Sequence, residues 1–192
     1  MTQITTKRFT LAEYHRLIEL GFLTEDDRVE LIRGELVQMA AKGTLHSVCN
    51  TKLARELERL VDNLAVIRGQ EPIILPTNSE PEPDVVIVRG QPDDYLLNHP
   101  YPKDILLLIE VSDSTLVYDQ TVKLSLYAEA QIQNYWIMNL VANQVECYTQ
   151  PYQDSQGNFG YRIRQIALRN EMVTIPGFSD LLLDLNLVFP GL

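Results

Sequence analysis

The sequence predicts an α/β fold in which helices flank a mixed β-sheet. Apolar residues recur with helical spacing in one long segment after residue 44, and short runs rich in β-branched residues follow it. A second helical pattern then precedes further strand-like runs. With 192 residues, 45% hydrophobic and 22% charged, the chain is long enough to bury the core of one domain.

The N-terminal part predicts a helix and then a hairpin. In "FTLAEYHRLIELG", Thr10 and Glu13 form a capping box and Gly21 suits the C-terminal end. "RVELIRGELVQM" alternates around Arg33-Gly34 and predicts a β-hairpin. A longer helix is expected in "LHSVCNTKLARELERLVDNL" from its apolar positions Leu45, Val48, Leu53, Leu57, Leu60, Val61 and Leu64.

The rest of the chain predicts strands around one helix. Three strands are expected at residues 65–75, 84–88 and 105–111. "DQTVKLSLYAEA" is typical of a helix, with Asp119 as the expected N-cap. "YWIMNL" predicts a fourth strand with "QVECYT" pairing back onto it, and "YRIRQIAL" and "MVTI" add a β-rich end. The apolar tail "FSDLLLDLNLVF" could pack on the core or on a second subunit.

Charge and cysteine content restrict the function classes. The net charge of −10 and the pI of about 4.7 argue against tight, non-specific nucleic-acid binding, although a local basic groove is compatible with them. The N-terminus has no apolar signal region, and no apolar run reaches the ~20 residues of a membrane span. Two distant cysteines favour reduced thiols, so a cytoplasmic protein without membrane contact is expected.

Two carboxylates stand at the ends of neighbouring predicted strands. Asp84 opens one strand after "EPEP", and Glu110 closes the apolar run "ILLLIEV". If the strands are antiparallel, Asp84 lies opposite Glu110 with their Cβ atoms ~5 Å apart. The same register pairs Val86 with Leu108 and Val88 with Leu106. Two carboxylates so close repel unless a cation lies between them, and Mg²⁺ suits one or two carboxylates.

Lys123 could complete this arrangement from the following helix. It lies ~6 Å along a helix that begins at Asp119, and its side chain could reach back over the sheet to orient a metal-bound water. Simpler interpretations stay open. Asp84 could merely begin a strand, Glu110 could face solvent, and Lys123 with Asp119 could be an i,i+4 surface pair.

Several of these stretches resemble a known family. "EPDVVIV", "LLLIEVSDSTLVYDQTVKLSLYAEA" and "NYWIMNL" are similar to the Uma2 family, also called DUF820, of the PD-(D/E)XK nuclease-like superfamily. The resemblance runs from about Glu30 to the tail, and "ELIRGELVQM" matches the family's early hairpin. It implies a restriction-endonuclease-like fold over 1–192 as a single domain, with its core at about 44–140. It also implies Mg²⁺-dependent cleavage of a phosphodiester, with DNA as the expected substrate.

The resemblance assigns roles residue by residue. Pro83-Asp84 matches the "PD", and Glu110 matches the acid of the "(D/E)XK" half. The superfamily lysine usually stands two residues after that acid, where this chain has Ser112. Lys123 on the next helix is then the replacement. The catalytic prediction is therefore Asp84, Glu110 and Lys123, with Asp84 and Glu110 as metal ligands.

Glu30 and His46 are possible supporting residues. Glu30 alternates with apolar neighbours in the hairpin, where a surface role is equally compatible. His46 resembles a family histidine that follows the hairpin, and its imidazole could hold a carboxylate or a water, or only cap or pack the helix.

Three functions are consistent with these residues. The leading hypothesis is an endonuclease that uses Mg²⁺, with Mn²⁺ as a substitute, acts on nucleic acid and forms a homodimer through "LLLDLNLVF". The alternative is a catalytically silent nuclease fold that binds a partner or a second copy. The third is a hydrolase of a small phosphate ester.

Overall fold

The centre of the molecule is a mixed sheet of six strands. The computed structural model describes residues 5–191. The strands of the sheet are β3 (Val66–Gly69), β4 (Val85–Val88), β5 (Ile105–Ser112), β6 (Asn134–Asn139), β7 (Gln144–Gln153) and β8 (Phe159–Leu168). They lie in the order β3-β4-β5-β6-β7-β8, and among these pairs only β5 and β6 run parallel. The predicted α/β class with a mixed sheet is confirmed.

The N-terminal elements also match the prediction. They are α1 (Leu11–Glu19), the hairpin strands β1 (Val29–Ile32) and β2 (Glu35–Gln38), and α2 (Thr44–Val61). Thr10 and Glu13 form the capping box of α1. Arg33 and Gly34 have φ of 48° and 79°, and positive φ at both central residues is the type I′ geometry that suits a two-residue hairpin turn.

The buried stripe of α2 differs in part from the prediction. Cys49, Leu53, Leu57 and Val61 are fully buried at i,i+4 spacing. The expected core positions Leu45, Val48 and Leu64 are exposed instead. The helix ends at Val61, so Leu64 lies beyond it. Cys49 packs in the buried stripe as a small hydrophobe, although it was not among the positions that predicted the helix.

The second helical segment begins earlier than predicted. It comprises α3 (Leu116–Tyr118), a π-helical turn (Asp119–Lys123) and α4 (Leu124–Glu129). The prediction of Asp119 as N-cap is therefore wrong. Its carboxylate instead accepts hydrogen bonds from the hydroxyls of Ser112 and Thr115, both at 2.7 Å. Single π turns are rare in proteins overall, but those that occur are often found at functional sites.

Two strand predictions need correction. Val86 pairs with Leu108 as expected, but Val88 pairs with Ile105 and not with Leu106, because the register shifts between Ile87 and Val88. The strand expected at 65–75 ends at Gly69, since Gln70 turns the chain with φ of 56°.

Each face of the sheet has its own apolar core. One face packs against α2 and the C-terminal elements β9 (Met172–Thr174), β10 (Leu182–Asp184) and α5 (Leu185–Val188). The other packs against α4 and residues from the hairpin region. In the tail, Leu183, Leu185, Val188 and Phe189 are buried, so its predicted packing on the core is confirmed. None of the helices in residues 5–191 is long and apolar enough to cross a membrane.

Candidate active site

Asp84 and Glu110 meet where β4 begins and β5 approaches its end. Asp84 directly precedes β4, and the β4–β5 register places it beside Glu110. The backbone N–H of Asp84 lies 3.4 Å from Glu110 Oε2, and the N–H of Val111 donates to Asp84 Oδ2 at 2.9 Å. Asp84 and Glu110 are only 8% and 6% exposed, which excludes a solvent-facing Glu110.

Lys123 points into this pair from the π turn. Its Nζ donates to Glu30 Oε2 at 2.7 Å and lies 3.5 Å from Glu110 Oε1. Lys123 is buried, and so is Asp119, which excludes a surface ion pair between them. Glu30 is 5% exposed and also accepts the N–H of Glu82 at 3.2 Å, so the surface interpretation of Glu30 is wrong.

His46 holds the other carboxylate. Its Nε2 lies 3.0 Å from Asp84 Oδ2. The N-cap of α2 is Gly43, so His46 is not the capping residue and is the third residue of the helix, within its first turn. Gln70 adds a longer contact of 3.4 Å to Asp84 Oδ1. All five residues singled out from the sequence (Glu30, His46, Asp84, Glu110 and Lys123) therefore lie in one connected group.

Tyr127 is a site residue that the sequence interpretation missed. Its hydroxyl donates to Glu110 Oε1 at 2.6 Å, the shortest contact of that carboxylate, and its ring is fully buried. A signal was present: Asp119, Lys123 and Tyr127 recur every four residues, and this spacing places side chains on one face of a helix.

The electrostatics of the group follow from burial. Burial raises the pKa of Glu110 to about 8; the ammonium of Lys123 opposes this shift, and the carboxylates of Asp119 and Asp84 reinforce it. For Lys123, burial alone would lower the pKa, but Glu110 and Glu30 raise it above its ordinary value. Lys123 is therefore held as an ammonium, while burial disfavours the charged form of Glu110.

The group borders a cleft of about 470 Å³. Acidic residues dominate its polar lining, with Lys42 and Lys123 as the basic ones. Within residues 5–191, no group of three or more His, Cys, Asp or Glu side chains is arranged to hold a metal ion. Asp84 and Glu110 nevertheless supply the hard oxygen ligands that Mg²⁺ takes in ones and twos, with water completing its shell.

Comparison with solved structures finds a protein of similar fold. The chain is similar to a protein from Anabaena variabilis ATCC 29413 described as a "putative nuclease belonging to DUF820". The TM-score is 0.70 at 15% sequence identity, and the match covers 94% of this chain and 97% of the other.

The sequence then identifies the family. The family model of Uma2, described as "Putative restriction endonuclease", matches residues 11–186. The chain belongs to the Uma2 family, as the resemblance predicted. No curated protein matches it in sequence.

Proposed function

We propose that this protein is a Mg²⁺-dependent nuclease that hydrolyses phosphodiester bonds, with DNA as its substrate. The observation that carries the proposal is the convergence of Asp84, Glu110 and Lys123 on one buried cleft. The family description as a restriction endonuclease supports DNA as the substrate.

The charge of the group favours a divalent cation. Glu30, Asp84 and Glu110 face the single ammonium of Lys123, and the buried carboxylate of Asp119 also acts on Glu110. Buried charges are costly unless they are paired. A divalent cation would offset part of this excess of carboxylates. The raised pKa of Glu110 expresses the same imbalance, because a proton takes the place of a cation.

In this proposal each side chain has a separate task. Asp84 and Glu110 would hold Mg²⁺, which supplies a Lewis acid and lowers the pKa of a bound water. Lys123 orients the attacking water and stabilises charge that develops on the phosphate. Glu30 fixes the ammonium of Lys123, while His46 and Tyr127 orient the two carboxylates.

Substitution of the two carboxylates tests the proposal. Asp84→Asn and Glu110→Gln keep the side-chain shape, and we expect each to reduce cleavage of plasmid DNA with Mg²⁺ or Mn²⁺ by roughly a thousandfold, since the metal contributes several kcal/mol. Asp93→Asn, on an exposed turn that does not line the cleft, is the matched control and should cut normally. Wild-type protein that binds no divalent metal would instead support the nuclease-fold binding module.

Homodimerisation and a cytoplasmic location belong to the same proposal. The tail contributes less apolar surface than expected. Among its leucines, the exposed ones are Leu182 and Leu187. Ile163, Ile166 and Leu168 on the edge strand β8 are also exposed, Ile163 on one face of the sheet and the other two on the opposite face. Sedimentation at micromolar concentration should show a dimer. Both cysteines, Cys49 and Cys147, are free, as a reducing compartment favours.

A further inference from the structure

Tyr118 carries a buried hydroxyl that nothing in the described part of the chain satisfies. It is the last residue of α3, directly before the π turn that carries Lys123. The hydroxyl oxygen is buried and has no hydrogen-bond partner. A buried donor left unpaired costs free energy, so native proteins keep few of them and each calls for an explanation.

The other tyrosines show how unusual this is. Six of them donate a hydrogen bond to a protein acceptor: Tyr14, Tyr95, Tyr127, Tyr135, Tyr148 and Tyr161. Among the described residues, Tyr118 is the tyrosine whose hydroxyl is both buried and unpartnered. Most tyrosine hydroxyls in this fold thus have a protein acceptor, and the hydroxyl of Tyr118 has none.

The position of Tyr118 points to a ligand. The residue lines the same cleft as Asp84, Glu110 and Lys123. A second buried atom without a partner belongs to this cleft's lining too: Nδ1 of His46, whose Nε2 contacts Asp84. Two of the four buried side-chain polar atoms without a partner in residues 5–191 therefore belong to residues of one cavity.

The phenol keeps its proton near neutral pH. Burial raises the pKa of Tyr118 to about 12, and the carboxylate of Glu30 adds to the shift. The hydroxyl therefore has a proton to donate to an acceptor on a ligand. The polar lining of the cleft is mainly acidic, and Lys42 is the basic residue there that can pair with an anionic ligand, because Lys123 is engaged by Glu30.

We propose that Tyr118 is a substrate-binding residue whose hydroxyl donates to a non-bridging phosphate oxygen of the nucleic-acid backbone. This inference rests on the proposed function, because it takes a phosphodiester as the ligand of the cleft. It assigns Tyr118, which precedes the π turn, to substrate binding, whereas Lys123 within the turn belongs to the catalytic group.

Tyr118→Phe separates binding from folding. A hydroxyl reserved for a ligand burdens the free protein, so we expect its removal to raise the melting temperature by about 2–6 °C, or at least not to lower it. The same change should weaken binding of a fluorescent DNA oligonucleotide about ten- to hundredfold, because a hydrogen bond to a charged oxygen is lost. Anisotropy measures this with Ca²⁺ in place of Mg²⁺, so that the probe is not cut.

Two matched variants serve as controls for Tyr118→Phe. Tyr101→Phe removes a hydroxyl from a residue that is 39% exposed and lines a different cavity, so both measurements should stay unchanged. Tyr127→Phe removes a hydroxyl that has a partner at 2.6 Å, so its melting temperature should fall. Opposite signs for Tyr118→Phe and Tyr127→Phe are the signature of the proposal.

The outcomes are distinct from those of the proposed function. A melting temperature of Tyr118→Phe below that of wild type, equal oligonucleotide affinity in both proteins, or no binding by wild type would each overturn the role of Tyr118. Wild type that binds the oligonucleotide through Tyr118 but does not cut it would leave this role standing and contradict only the proposed cleavage.

Discussion

Two buried glutamates on one face of the sheet have opposite surroundings. Glu110 on β5 pairs across the sheet with Ile137 on β6, and Ile137 pairs in turn with Glu146 on β7. The two carboxylates therefore lie on the same face, two strands apart, and both are buried. The π turn lies over both of them: Lys123 contacts Glu110, and Gln120 contacts Glu146.

Glu146 has all the donors that a buried carboxylate needs. Gln120 donates to both oxygens at 2.9 and 3.0 Å, Asn139 donates at 2.8 Å, and Tyr148 donates at 2.7 Å. Arg164 adds an ion pair at 3.0 Å. Burial alone would raise the pKa of Glu146, but these hydrogen bonds lower it below its usual value. This carboxylate is stabilised in its charged form without any ligand.

Glu110, by comparison, has few hydrogen-bond donors for a buried carboxylate. Tyr127 is its one short donor, Lys123 is more strongly engaged by Glu30, and the carboxylate of Asp84 lies nearby. Its raised pKa records this deficit. The difference teaches that burial alone does not mark a functional carboxylate, whereas burial without enough donors does. We infer that Glu146 is structural, whereas the surroundings of Glu110 fit the metal-ligand role proposed for it.

Removing Glu146 should cause the larger loss of stability. Glu146→Ala leaves Gln120, Asn139 and Tyr148 without their acceptor, which we expect to cost about 3 kcal/mol and to lower the melting temperature by about 6–12 °C. Glu110→Gln should leave the melting temperature of the metal-free protein unchanged or higher. Calorimetry in EDTA measures both, and a larger loss for Glu110→Gln would reverse the assignment.

The pH dependence of stability should differ in sign between the two. Because the folded-state pKa of Glu146 is lowered, its contribution is present above the unfolded value of 4.5 and is lost on acidification. The folded-state pKa of Glu110 is raised, so its contribution to stability is present below pH 4.5 and is lost as the pH rises to about 8. Urea unfolding from about pH 2 to pH 9 should show these opposite trends relative to Glu146→Gln and Glu110→Gln. Parallel curves would contradict the comparison.

Weakening the one short donor of Glu110 should have the smallest effect on function. We expect Tyr127→Phe to reduce Mn²⁺ affinity about tenfold, as is typical when a group that orients a metal ligand is lost. Isothermal titration measures this affinity. Tyr148→Phe, which removes a donor from Glu146 instead, is the control and should bind Mn²⁺ as wild type does.

The sequence predicted the strands and the acids better than the helix that joins them. Strand periodicity identified both strands, and the antiparallel pairing assumed from the sequence agrees with the structure at Val86 and Leu108, next to Asp84 and Glu110. The start of the helical segment could not be foreseen, since Asp119 is a residue type that favours the N-cap. Its actual partners, Ser112 and Thr115, come within hydrogen-bond distance only because the chain turns back after β5.

The Glu146 cluster was missed for a related reason. In "QVECYT", alternation places Glu146 on the face opposite to Val145 and Cys147, which predicts a solvent-facing side chain. The π turn covers that face and buries the carboxylate, and this packing between distant segments leaves no local pattern. Glu30 was uncertain in the same way, because its partner Lys123 lies 93 residues along the chain.

The thermal response to metal tests the central claim most directly. Mg²⁺ or Mn²⁺ at about 100 times its dissociation constant should stabilise wild type by about 2.7 kcal/mol, a rise in melting temperature of roughly 5–10 °C. Glu146→Gln should show the same rise from a lower starting point, and Glu110→Gln should show none. A rise that survives in Glu110→Gln and disappears in Glu146→Gln would contradict the account.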